Sequence, residues 1–239
     1  MRGPRESVPA AFWPTTYARS KQLYEYARGR LSMRMMLSDV DIKNRLEEGD
    51  LVIEPLADPD LQIQPATVDL RLGRKFREFN NGEITSVDPL REGAHEEYTT
   101  EEVIGEDETY VLHADDFVLG TLKERVEIPS DIVAQLNGRS SMGRNGLVVH
   151  ATAGVVDPGF KGELTLELSN FGQAPLILHP NMRIAQLSFQ KLQTPAERPY
   201  GTRKDSKYQN QQGPQASRAQ DDPEFTPGHT DSGTEPNGR

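Results

Sequence analysis

The segment from Gly138 to Asn170, GRSSMGRNGLVVHATAGVVDPGFKGELTLELSN, holds the densest set of chemically capable groups in the 239-residue chain. In G-R-S-S-M-G-R, Arg139 and Arg144 flank the hydroxyls of Ser140 and Ser141. The glycines let backbone N–H groups approach an anion closely, as a polyphosphate needs. A Ser- and Gly-rich turn between strands gives the same letters, so the bare pattern leaves both readings open. In D-P-G-F-K-G, Pro and Gly fall at turn positions, and the Asp157 carboxylate either caps its own loop or accepts a hydrogen bond from a sugar hydroxyl. In E-L-T-L-E-L, Leu164, Leu166 and Leu168 share one strand face, and Thr165 and Glu167 share the other. On pattern alone that polar face meets water.

Other chemistries are poorly served. His150 sits in an apolar run without a neighbouring His, which suits a packed or hydrogen-bonded imidazole rather than a ligand. No nucleophile elbow accompanies any Ser, so the context for Ser-His-Asp catalysis is missing. The chain has no Cys, which excludes disulfides, a thiolate nucleophile and Cys-ligated zinc.

The elements that must position these residues are short. From Met36 the chain reads MLSDVDIKNRLEEGDL, where Ser38 caps a helix, Asp41 completes an S-x-x-D box and Gly49 ends it. β-rich runs then follow at Leu51 to Ile53, Thr67 to Leu72, Tyr110 to His113, Phe117 to Leu122 and Ile132 to Leu136. Further runs span Leu147 to His150, Leu164 to Leu168, Leu176 to Leu178 and Ile184 to Phe189. No long amphipathic helix interrupts them, so the fold class is all-β, a sandwich or barrel.

Residues 1–35 are basic and lie outside this pattern. The cluster Met33, Met35 and Met36 suits an upstream start-site extension, although Arg-rich leaders also serve as targeting peptides. Residues 36–221 are read as one domain. Residues 222–239 are polar, with too little apolar surface to repay ordering, and are expected to be disordered.

Composition narrows the partners. With 37 acidic and 27 basic residues the net charge is −10, which disfavours a nucleic-acid partner. Only 8 of the basic residues are Lys. An acidic, Lys-poor surface suits concentrated salt, and an ordinary acidic cytosolic protein is the equal alternative. No apolar run of about 18 residues is present, so no membrane partner is expected and the protein is expected to be soluble and cytoplasmic.

The segment 138–170 resembles the dCTP deaminases, as do Q-P-A-T-V-D-L-R-L-G from Gln64 and P-Y-G-T-R-K-D-S-K-Y-Q-N-Q-Q-G from Pro199. The resemblance runs in order from about Met36 to Ser217. It implies a distorted β-barrel of the dUTPase type with a short N-terminal helix, assembled as a homotrimer with active sites between subunits. The substrate is then dCTP and the product dUTP and ammonia. Position by position, Glu167 matches the catalytic carboxylate, acting as general base and then general acid. Ser140 and Arg144 match the residues that hold the water and stabilise charge developing on the pyrimidine, and the Ala153 carbonyl matches the group that orients that water. Arg139, Ser141, Met142 and Gly143 match the triphosphate loop, Asp157 the deoxyribose contact, and Thr165, Leu166 and Gln186 further nucleotide contacts. Tyr200, Lys207 and Gln211 match a C-terminal segment similar to a lid.

The same resemblance implies Mg²⁺ carried by the nucleotide phosphates, without protein metal ligands. Zinc chemistry of the H-x-E and P-C-x-x-C kind is impossible without Cys. Relatives are inhibited by dTTP, which makes dTTP a candidate inhibitor. The pair Ala153 and Gly154 resembles members that also release pyrophosphate and form dUMP, so a bifunctional enzyme is the first alternative. A dUTPase and a noncatalytic nucleotide-binding trimer are the others. The chain departs from the pattern at Asn145, where the family more often has an apolar residue, and in the segments before Met36 and after Asp221.

Overall fold

The computed structural model describes residues 36–80, 86–91, 97–203 and 205–225, which belong to one compact unit beginning at Met36. The leader read as an extension therefore lies outside the described residues, as does 226–239 of the expected disordered tail. Within that tail, Pro223–Phe225 form a 3-10 turn.

Helix α1, Asp39–Glu48, forms where the capping box places it. Ser38 Oγ accepts the Asp41 N–H, and the Asp41 side chain accepts the Ser38 N–H, so two N-terminal donors are satisfied. That hydrogen bonding holds the Asp41 carboxyl below its ordinary pKa. Gly49 stops the helix in the left-handed region at φ 75°, its N–H bonding Leu46 O.

The strands are β1 (Val52–Glu54), β2 (Ile63–Gln64), β3 (Thr67–Phe79), β4 (Thr99–Val103), β5 (Tyr110–Leu112), β6 (Phe117–Glu127) and β7 (Ile132–Gly138). They continue with β8 (Leu147–Val148), β9 (Val155–Val156), β10 (Lys161–Asn170), β11 (Leu176–Leu178) and β12 (Arg183–Lys191). Two single helical turns, α2 (Pro59–Gln62) and α3 (Ser140–Gly143), join them.

Ten strands make one curled, half-closed antiparallel sheet in the order β8-β10-β6-β3-β12-β7-β9, with β1 on β6 and β2 and β4 on β3. β11 and β5 pair separately. The all-β distorted barrel expected from the sequence is the fold observed.

Alternation builds the core. In β10 every second residue from Gly162 to Asn170 is buried, and Leu166 and Leu168 meet Phe76, Leu122 and Phe189 in one cluster. Each such aliphatic or aromatic side chain contributes roughly 1.5–3 kcal/mol on full burial.

The sequence missed three features. β3 runs on past Leu72 because Gly73 lets β6 approach: a Cβ there would lie 2.9 Å from Thr121 Oγ1. The register with β6 shifts across the same stretch. β4, T-T-E-E-V, shows no apolar alternation. It is an edge strand held to β3 partly by charge, with Arg77 opposite Glu101 and their side chains 3.1 Å apart. The two-residue strands β2 and β9 are too short to leave a period.

Candidate active site

β10 forms the floor of the site. Because its leucines face the core, Thr165 and Glu167 project from the opposite face, as the alternation requires. That face does not meet open water, as the bare pattern suggested. Both residues are half-buried and line a cleft of about 510 Å³. The cleft also gathers Ala153, Asp157, Tyr200 and Gln211, so six of the residues singled out by sequence converge within one chain.

The segment 149–154 braces Glu167. The Glu167 N–H bonds Val149 O at 3.0 Å, and its Oε2 accepts the Ala151 N–H at 2.7 Å. Its Oε1 takes no hydrogen bond from a described residue. Ala153 is exposed at the cleft, while Gly154 is buried and its carbonyl accepts the Leu136 N–H at 2.7 Å. A Cβ on Gly154 would run into the Gln135 amide and lie 3.0 Å from Leu136 O, so packing favours glycine here. His150 lines the same cleft, and its buried Nδ1 has no hydrogen-bond partner among the described residues.

Asp157 opens a turn closed by Phe160 N–H to Asp157 O at 3.1 Å, with Gly159 at φ 91°. The turn is made by backbone, and the exposed carboxylate takes no hydrogen bond from a described residue. Pro158 O then accepts the Tyr200 N–H at 2.7 Å, and the Phe160 and Tyr200 rings pack at 5.9 Å. Burial raises the Tyr200 phenol pKa.

Beyond Tyr200 the chain lies along β10. Asn210 N–H bonds Lys161 O at 2.7 Å, and Gln211 O accepts the Glu163 N–H at 3.1 Å. The Gln211 amide donates to Glu163 O and to Thr165 Oγ1, which also accepts the Gln215 N–H at 3.2 Å. Tyr208, Gln215 and Ser217 thereby reach the cleft, and sequence reasoning singled out none of them. Phe160 was also missed, although D-P-G-F placed it beside Asp157.

The remaining residues lie elsewhere. Arg139, Ser140, Ser141, Met142, Gly143 and Arg144 form the turn after β7 and do not line this cleft. Ser140, Ser141 and Arg144 are exposed. Gln186, on β12, stands opposite Asn137 and Asp69. The Leu166 side chain is fully buried in the core, leaving only its backbone for a ligand. Lys207 pairs with Asp222 at 2.6 Å.

Among the described residues no three His, Cys, Asp or Glu side chains converge as a metal group, and no helix is long and apolar enough to cross a membrane.

A curled antiparallel sheet with a braced carboxylate in a largely apolar cleft, and a cationic turn at a different strand end, defines an all-β protein with a pocket of small-molecule size. A family model described as dCTP deaminase-like matches residues 36–192. The chain is 61% identical over 191 residues to a dCTP deaminase of Natronomonas pharaonis, covering 80% of this chain and 98% of the relative. It is 59% identical, with the same coverage, to a dUMP-forming dCTP deaminase of Halobacterium salinarum. The crystal structure of 2'-deoxycytidine 5'-triphosphate deaminase from Agrobacterium tumefaciens superposes with a TM-score of 0.53 at 26% identity. That likeness covers 66% of this chain and 48% of the solved chain, so just under half of that chain's length is spanned. The chain belongs to the dCTP deaminase-like family.

Proposed function

We propose that this chain is a hydrolase that removes the 4-amino group of dCTP, giving dUTP and ammonia. The observation that carries the reading is Glu167, a carboxylate fixed by the Ala151 N–H at 2.7 Å on the floor of a nucleotide-sized cleft. With one oxygen so held and the other unengaged, Glu167 takes a proton from water as the water attacks C4 of cytosine, and returns it to the departing amine. The exposed Ala153 carbonyl, on the same brace, orients that water. Asp157 receives a deoxyribose hydroxyl, and Tyr200 and Gln211 cover the nucleotide.

Ser140 and Arg144 act on the same pyrimidine, and Arg139, Ser141, Met142 and Gly143 on the triphosphate. Since these residues lie off the cleft of their own chain, the working site is formed by two copies, within a homotrimer. The first N–H groups of the α3 turn have no helical acceptor and are available to phosphate oxygens. Mg²⁺ arrives with the nucleotide and supplies charge neutralisation at the phosphates.

A second reading, in which the product is dUMP with pyrophosphate, is favoured by the dUMP-forming relative at 59% identity. The pair Ala153 and Gly154 supports it less than its letters suggest, because packing against Leu136 favours glycine whatever the product. dTTP is proposed as an inhibitor competing for the cleft. A rate that stays flat across a dTTP titration would remove that idea.

The test is incubation with dCTP and Mg²⁺ at low and molar salt, the latter because of the −10 charge. dUTP, dUMP and pyrophosphate are resolved chromatographically, with dUTP as a parallel substrate. Accumulating dUTP supports simple deamination, and dUMP with pyrophosphate supports the second reading. Turnover of dUTP alone, or no turnover at either salt, overturns both.

A further inference from the structure

Arg139 does not project freely from the turn after β7. Its Nε lies 3.1 Å from Asp69 Oδ2, and one Nη donates to the Arg183 carbonyl at 3.1 Å. The same Asp69 oxygen accepts a bond from the Arg183 guanidinium at 3.0 Å, and Arg183 also donates to Leu61 O at 3.0 Å. Asp69 is 2% exposed, whereas the Arg139 and Arg183 side chains are about a quarter exposed, at 25% and 26%. One buried carboxylate thus serves two guanidiniums that face solvent on their far sides. Arginine stays charged throughout the working pH range, so two cations less one anion leave one net positive charge beside the turn.

The sheet explains how Asp69 reaches this place. Asp69 on β3, Gln186 on β12 and Asn137 on β7 are direct cross-strand partners. Directly opposed residues share a face, so the three form a polar row across the sheet that leads toward Arg139. The Arg139 Nη2 group makes no hydrogen bond to a described residue. Its donors stay available while Nε and the other Nη are held.

We infer that Asp69 is a positioning residue, which fixes the Arg139 guanidinium, in partnership with Arg183, so that its unengaged donors meet the phosphate oxygens of the nucleotide. The inference rests on the proposed function and adds to it the groups that hold the phosphate-binding cation in place. Prepaid orientation of this kind lowers the ordering cost of binding without touching the bond-making step.

The test compares full-length wild type with Asp69→Asn, Arg139→Gln and the double variant. It measures kcat and KM for dCTP, and competitive inhibition by inorganic tripolyphosphate. Asp69→Asn should raise both the KM and the tripolyphosphate inhibition constant roughly tenfold, with kcat within about twofold. The double variant should be no worse than Arg139→Gln, because the effect passes through Arg139. If Arg139→Gln weakens both constants while Asp69→Asn weakens neither, or if the two losses add, the inference is overturned and the phosphate-loop reading stands. If Arg139→Gln changes neither constant, the phosphate end of the proposed function fails first and takes the inference with it.

Should Asp69→Asn fail to fold, 15N relaxation of Arg139 Nε in the wild-type protein carries the test. A guanidinium as ordered as the backbone before any ligand is added supports the inference, and one that reorients freely overturns it.

Discussion

The cleft over β10 and the turn after β7 hold the two halves of one proposed site in opposite ways. In the cleft, Glu167, Thr165 and Gln211 are fixed by their own chain, through Ala151, Glu163 and Gln215. On the turn, Ser140, Ser141 and Arg144 are exposed, and among its polar side chains Arg139 alone is anchored, through Asp69 and the Arg183 carbonyl. Groups that handle a proton need fixed geometry before the ligand arrives. Groups that grip a flexible polyphosphate can be left to a neighbouring copy and to the ligand itself. The contrast predicts a proton-handling carboxylate held rigidly by one chain and a looser cationic turn, serving both pyrimidine and phosphates, supplied by its neighbour.

The largest expected effect breaks the cleft alone. Glu167→Gln should cut dCTP deamination by about 10²–10⁴-fold while nucleotide affinity stays within a few-fold, since the amide cannot accept the proton. Near-normal turnover in a chromatographic rate assay would remove Glu167 from the mechanism. The second prediction joins the two regions. Glu167→Gln and Arg144→Ala proteins, each inactive, should regain roughly a quarter of wild-type activity when mixed one to one as reassembled trimers. A site needs its glutamate from one parent and its arginine from the other, each with even odds. No recovery in mixtures shown to contain hybrid trimers would place both groups on one chain.

A smaller effect falls on the brace. Gly154→Ala would set a Cβ 3.0 Å from Leu136 O, which must shift 149–154 against Glu167. A loss of about 1–3 kcal/mol in stability is expected, with kcat lowered more than KM is raised. Unchanged melting temperature and kcat would show that the brace has slack.

The smallest effect tests the base of β7. Arg45 binds Asp131 through two bonds of 3.1 and 2.7 Å, and this guanidinium holds the Asp131 carboxyl below its ordinary 3.8. A depressed folded pKa contributes stability above the unfolded value, and that stability disappears as the pH falls through the folded value. Asp131→Asn should therefore cost up to about 1 kcal/mol at pH 7, discounted for partial exposure. The difference from wild type should shrink as the pH drops below 3.8. Urea midpoints across pH check this, and a gap that widens in acid would contradict the assigned sign.

Much of this arrangement is written locally in the chain. Ser38, Asp41 and Gly49 mark α1 because caps are short-range, and the period of two in E-L-T-L-E-L puts Glu167 and Thr165 on one face. Whether that face is wet is not local, since it depends on residues 208–217 lying down some fifty positions later. For the same reason Tyr208, Gln215 and Ser217 gave no signal, and neither did the pairing of Lys207 with Asp222. β4 escaped because its pairing depends partly on charges in β3, not on its own periodicity. Asp69 stood inside V-D-L-R-L as an ordinary outward residue, and only the register with β12 and β7 reveals what it faces.

The run of bonds between Asn210 and Gly213 and the edge of β10 has a consequence for timing. Gly213 N–H bonds the Glu163 carboxylate at 2.7 Å, and Asn210 N–H and Gln211 O bond the backbone on either side of Gly162. With Tyr200 and Gln211 covering the nucleotide as proposed, the opening of this short zipper is expected to gate entry and exit and to set a ceiling on turnover independent of how fast the amine is lost. Amide exchange at Asn210 and Gly213 would count those openings directly.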